Sequence, residues 1–337
     1  MNTRETHPGD PTEVPSDLTE VKRPSPSPLG GGRRILRAVA LTATVPYLGL
    51  KTVWVCGSNL GIPEGSVLRD PGPFLLAVNS VTLAMDACVI LLVLVLTRPW
   101  GIRVPGPLLT VPVFVATGLL TPILLGFPGQ LLVRAVGFGA DPAVEAARKP
   151  FLDPWVFHVV YSGFTVQGLA LAALFVPYAR ERWGRAWRGV TGERLPSSTG
   201  VVAAAATAVG LAVAGVLVYW AFGGTAGLGA ERAAAYSADT AVVSAAHAIC
   251  ALAAGAGAVL LALGGTLRAR WPLGLAWTGG AATLNWGAWM TVSGLGPQLD
   301  GGEGPPAATL LIYIGQMITG LLTGTVLIRF LTTRRPG

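Results

Sequence analysis

Residues 74–97 read FLLAVNSVTLAMDACVILLVLVLT, twenty-four positions with a single charge, Asp86, near their centre. As a helix rising 1.5 Å per residue this run is ~36 Å long, enough to cross the roughly 30 Å hydrocarbon core of a bilayer. Working outward, comparable apolar runs recur at about 35–56, 107–127, 155–178, 201–222, 239–263, 272–293 and 307–331. The chain therefore reads as an all-α, polytopic transmembrane helix bundle of about eight spans. The third run is the least regular, because Pro105, Pro107, Pro112, Pro122 and Pro128 interrupt helical hydrogen bonding.

Composition agrees. Of 337 residues 52% are hydrophobic and only 12% are charged, about half the charge of a typical soluble domain. The net charge of +7 does not indicate nucleic acid, because the basic residues flank apolar runs and form no continuous solvated face. Counted on alternate sides, one face of the membrane receives Arg33, Arg34, Arg37, Arg98, Arg103, Arg180, Arg182, Arg185, Arg188, Arg194, Arg268, Arg270, Arg329, Arg334 and Arg335. The other receives Arg69, Arg134, Arg148, Lys149 and Arg232. Both termini are thus expected in the cytoplasm, with the protein in the cell membrane. Trp100, Trp183, Trp187 and Trp271 fall at the inner boundary and Trp54, Trp155 and Trp220 at the outer one, as interfacial belts require.

Residues 1–32, rich in proline and acidic side chains and ending in Gly-Gly-Gly, read as a disordered cytoplasmic tail. Residues 33–331 form the transmembrane domain and 332–337 a short basic tail. The twin arginines at 33 and 34 precede a run too long for a signal-peptide core, so that run is read as a retained helix. Cys56, Cys88 and Cys250 have no paired spacing and read as packing residues. No metal or cofactor is indicated.

Asp86 is the one acidic residue deep in a span, ~18 Å from either surface. An ionised carboxylate there must be paired, hydrated or protonated. Asn79 and Thr82 share its helix face at i, i+3, i+7 spacing, so the three can serve as an interhelical hydrogen-bond anchor or as part of a site. Lys51, with Tyr47 and Trp54 on its face, is the basic residue inside a span. It either reaches toward Asp86 or snorkels to the outer interface. Helix 4 opens with Trp155, His158, Tyr161, Ser162 and Thr165. His247 stands among alanines and reads as structural. Asn285, Trp286 and Trp289 on the seventh span and Tyr313 on the eighth fall at a similar outer depth.

One acid among aromatic faces admits two uses. A neutral carboxylic acid could protonate an alkene or epoxide, and ring quadrupoles could then stabilise carbocations. An ionised one could serve a transporter of an amphipathic cation; a non-catalytic scaffold is the third class. An internal repeat expected of inverted-repeat transporters is not evident. On the enzyme reading Asp86 and His158 are the candidate catalytic residues. Trp54, Asn79, Tyr161, Asn285, Trp286, Trp289 and Tyr313 are the candidate contacts for a hydrophobic small-molecule substrate supplied through the bilayer. The oligomeric state is left open.

The segments PYLGLKTVWVCGSNLGIPEGSVL (46–68) and WVFHVVYSGFTVQGLALAALFVPYARERW (155–183) resemble stretches of bacterial multi-pass proteins. Some of these are membrane terpene cyclases, distinct from the UbiA prenyltransferase fold, that act on prenylated precursors of drimane-type and indole sesquiterpenoids. The resemblance covers roughly the first half of the chain and implies an isoprenoid substrate, but no catalytic residue is carried over from it. The NDxxD and DxxxD motifs of UbiA prenyltransferases and the DxDD of soluble class II cyclases do not occur, which disfavours magnesium-assisted diphosphate ionisation.

Overall fold

A computed structural model describes residues 31–69, 72–138, 152–296 and 304–334. The tail expected over 1–32 falls outside these residues up to position 30, as do the last three positions of the C-terminal tail. Eight long helices make the bundle: α1 (Gly31–Val55), α2 (Pro73–Thr97), α3 (Gly106–Ala135), α4 (Pro154–Trp187), α5 (Ser197–Ala221), α6 (Ala238–Leu263), α7 (Arg270–Leu295) and α8 (Ala307–Thr333). Seven are long and apolar enough to cross a membrane, and α7 is the exception.

The reason for the exception is packing. Helix α7 carries Trp277, Thr278, Thr283, Asn285, Trp286 and Trp289, and it is flanked along its length by protein. Gly280, Gly287 and Gly294 meet Thr323, Tyr313 with Met317, and Leu310 of α8 in turn, an antiparallel register along the second half of the helix. Its other flank meets α6, where Gly257 abuts Ala276 and Gly279 abuts Ala254. A helix surrounded by other helices needs less apolar surface than one facing lipid, so hydropathy understates its span.

Helix α3 corrects an expectation. It does not stop near residue 127 but runs for 30 residues to Ala135, through Pro112, Pro122 and Pro128. Proline is tolerated because neighbouring groups attend to the disturbed backbone. Pro122 cannot donate to the Gly118 carbonyl, and the adjoining Leu119 carbonyl accepts Trp286 Nε1 at 3.1 Å. Thr117 and Thr121 bond back to Val113 and Thr117 carbonyls one turn earlier.

At the arginine-rich face a two-stranded antiparallel pair, β1 (Val190–Gly192) and β2 (Gly265–Arg268), joins the exits of α4 and α6. Arg334, at the end of α8, donates to the carbonyls of Val190 and Thr191. Arg33, at the start of α1, donates to the Leu96 carbonyl at the end of α2 at 3.0 Å. Both described ends of the bundle therefore lie on one face. One interfacial expectation changes: Trp220 is buried, and its Nε1 donates to Ala226 to hold the following loop. Of the cysteines, Cys250 is buried, whereas Cys56 and Cys88 are exposed.

Candidate functional site

The polar and aromatic residues expected to form one outer-half cluster separate into two places. The first is a seam between α1 and α2. Lys51 is buried, with 9% of its surface exposed, and its Nζ donates to Asn79 Oδ1 at 2.6 Å. The same ammonium lies 5.3 Å from the ring centroids of both Tyr47 and Trp54. Lys51 thus neither snorkels nor contacts Asp86. Asn79 and Asp86 lie seven positions apart, ~10 Å along α2, and the ammonium held at Asn79 forms no ion pair with Asp86.

Asp86 is buried to 6% exposure, and its Oδ2 accepts no hydrogen bond from any described residue. Thr82, one turn away, bonds back to the Val78 and Asn79 carbonyls, so its hydroxyl proton is committed within α2. Tyr47 lies close enough to Asp86 for electrostatic interaction. The expected common face of Asn79, Thr82 and Asp86 thus has two different fates along it: Asn79 is bonded and Asp86 is not.

The second place is a crevice of about 360 Å³ around the outer half of α3, flanked by α4 and α6 and backed by α7. It brings together three of the expected residues, His158, Tyr161 and Trp286, and adds His247. Tyr161 stacks on Phe127 at 5.8 Å and on Phe157 at 6.4 Å. Trp286 is held by its bond to Leu119 and meets the His247 ring edge-on at 5.3 Å. His158 is exposed at the rim and its Nδ1 lies 2.8 Å from the Pro154 carbonyl. A carbonyl can only accept, so Nδ1 carries a proton, and in the neutral ring Nε2 is the acceptor.

On the α3 wall of the crevice Arg134 grips Asp239 through Nε and Nη2, at 2.8 Å for the shortest contact, and Gln130 donates to the Asp239 backbone. Asp239 is the buried partner and sits in the first turn of α6, beside the Ser237–Thr240 capping box, where a negative charge is favoured. This pair was not legible in the sequence. The two residues are 105 positions apart, and ending α3 at 127 leaves Arg134 in a loop.

Tyr161 links the two places. Its ring also meets Phe164 edge-on at 6.4 Å, and Phe164 meets Tyr47 at 4.8 Å, beside Lys51. The remaining expected contacts go elsewhere. Asn285 bonds back to the Ala281 carbonyl and packs on Gly118 of α3. The Tyr313 hydroxyl accepts from Arg232 in a one-turn helix, Ala230–Ala234. Trp54 already gives one ring face to Lys51 and its Nε1 to the Leu60 carbonyl at 2.7 Å. Trp289 is half-buried on α7 and is not among the residues lining the crevice. Among the described residues no group of three or more His, Cys, Asp or Glu gathers as a metal site would need.

Comparison with protein-family models, with curated proteins and with solved structures yields no match.

Proposed function

We propose that this chain is an intramembrane enzyme of the cell membrane that cyclises a hydrophobic isoprenoid by protonation, with Asp86 as the acid. The observation that carries the reading is the Asp86 carboxyl itself: buried, near the middle of α2, and with Oδ2 unbonded. A carboxyl in that setting favours its neutral form, because desolvation penalises the ion. Neutral, it has a proton to give. Addition of that proton to a terminal alkene carbon leaves the Asp86 carboxylate and a tertiary cation. The π electrons of the next alkene close the ring, and loss of a proton from the final cation returns the carboxyl to its acid form. Tyr47, Tyr161 and Phe164 supply electron-rich ring faces near the seam.

The test is conversion of a panel of farnesylated substrates by membranes containing wild type or Asp86→Asn. Cyclised product from wild type, falling at least ~100-fold in the variant, is expected for loss of the general acid. No product across the panel overturns the cyclase reading; product unaffected by Asp86→Asn removes Asp86 from the role. A permease for an amphipathic cation is the second reading, favoured by two buried ionisable groups, Lys51 and Asp86, in one seam. Uptake of a lipophilic cation into proteoliposomes, abolished by Asp86→Asn, would select it.

A further inference from the structure

We infer that the crevice between α3, α4 and α6 is a binding site for a lipophilic quinone or quinol, separate from Asp86. The argument starts from what its walls offer. The flat surfaces are aromatic: Phe127 and Tyr161 stand nearly parallel, with 29° between their planes, and Trp286 closes the back. Hydrogen-bonding groups come from three helices, of which Gln130 and Arg134 of α3 are engaged with Asp239 and those of α4 and α6 form the walls open to a ligand. From α4 come His158 Nε2, an acceptor because Nδ1 is committed to Pro154, and the Tyr161 hydroxyl; from α6 comes the His247 ring. Among the described residues neither the Tyr161 hydroxyl nor a His247 nitrogen has a hydrogen-bond partner, although both residues are half-buried.

A ligand that satisfies both walls must be flat and must carry polar atoms at opposite ends of its ring. A para-quinone or quinol has that arrangement: oxygens that accept from Tyr161 and His247, or hydroxyls that donate to His158. The mouth supports a tail. Leu131, Phe157 and Val243 are exposed apolar side chains at the rim, on three different helices in the outer half of the bundle, so an alkyl or isoprenoid chain leaves into lipid without crossing the protein. Arg134 lines the crevice with its charge balanced by Asp239, which suits a neutral head. The interior is preorganised, because the Trp286 ring is already fixed by Leu119.

The experiment uses the purified protein in phosphatidylcholine nanodiscs, titrated with decylubiquinone while tryptophan fluorescence is read. Quinones quench tryptophan on contact, and simple partitioning quenches in proportion to quinone content. The expected result is a saturable component in wild type and in Asp86→Asn that disappears in Trp286→Phe. In Tyr161→Phe/His247→Leu the quinone fraction for half-saturation rises by roughly tenfold. Gly126→Ile should abolish saturation with every polar group in place, since a Cβ at Gly126 finds only Ala246 Cβ, at 3.9 Å, and further atoms grow into the crevice. Strictly proportional quenching in wild type overturns the proposal, as does saturation undiminished by Trp286→Phe or unmoved by both the paired substitution and Gly126→Ile. Failure of the cyclase reading leaves these outcomes untouched, because Asp86→Asn is expected to bind the quinone as wild type does.

Discussion

The two halves of the bundle are built from different materials. In α5 to α8 backbones touch: a Cβ placed on Gly279 would lie 2.3 Å from the Ala254 nitrogen, and one on Gly320 2.5 Å from the Leu284 nitrogen. Small residues permit this contact, and dispersion between close backbones substitutes for the hydrophobic effect that lipid cannot supply. In α1 to α4 the helices meet through bulky and polar side chains such as Tyr47, Lys51, Asn79, Tyr161 and Phe164. Burial follows: 56% of the α6 span is buried against 22% of the α3 span. The half spaced by large side chains contains the unbonded acid, and the crevice lies where that half meets the closely packed one, between α3 and α4 on one side and His247 and Trp286 on the other.

That contrast can be broken most directly in the scaffold. Gly279→Leu forces the α6 and α7 backbones apart, and the expected loss is at least ~3 kcal/mol, at the upper end of overpacking effects. Unfolding in mixed detergent micelles, followed by circular dichroism, measures it; a loss under ~1 kcal/mol would show that the two helices separate freely. The seam should respond through pairing instead. Lys51→Met removes the donor to Asn79 and should destabilise by about 1–2 kcal/mol, while the pair Lys51→Met/Asn79→Leu should recover most of that loss. A double-mutant cycle reads the coupling, and simple additivity would mean that the bond contributes nothing to stability. The smallest effect is expected at Gly324 on α8, where a Cβ meets nothing within 4 Å: Gly324→Ala should stabilise by about 0.5–1 kcal/mol through helix propensity alone. A loss would show that small residues matter on that face for something other than helix contact.

Much of the architecture was legible because length and hydropathy are properties of the chain alone. Residues 74–97 were expected as a span and α2 runs from Pro73 to Thr97; the run at 239–263 became α6, Ala238–Leu263. The run expected over 107–127 continues as helix to Ala135, through Pro128; a local rule about proline does not see tertiary bonds such as that of Trp286 beside the turn disturbed by Pro122. Depth was also legible. His158, Tyr161 and Trp286 were assigned to a common outer level, and they do meet. What depth does not contain is azimuth, the direction each helix turns its face. Tyr313 shares that level yet is held by Arg232 on the far side of α7, and Asn285 is turned onto α3.

The apolar runs were sufficient to indicate a multi-pass membrane protein and to place Asp86 near the middle of its helix. Hydrophobic length and charge placement act residue by residue, and no neighbour alters them. Only the tertiary structure decided which groups touch: that Lys51 bonds Asn79 and leaves Asp86 unbonded, that Arg134 meets Asp239 across 105 positions, and that a crevice forms beside His247. Those outcomes depend on how eight helices rotate and tilt against one another, and that is set by close packing among glycines and alanines far from the groups it positions.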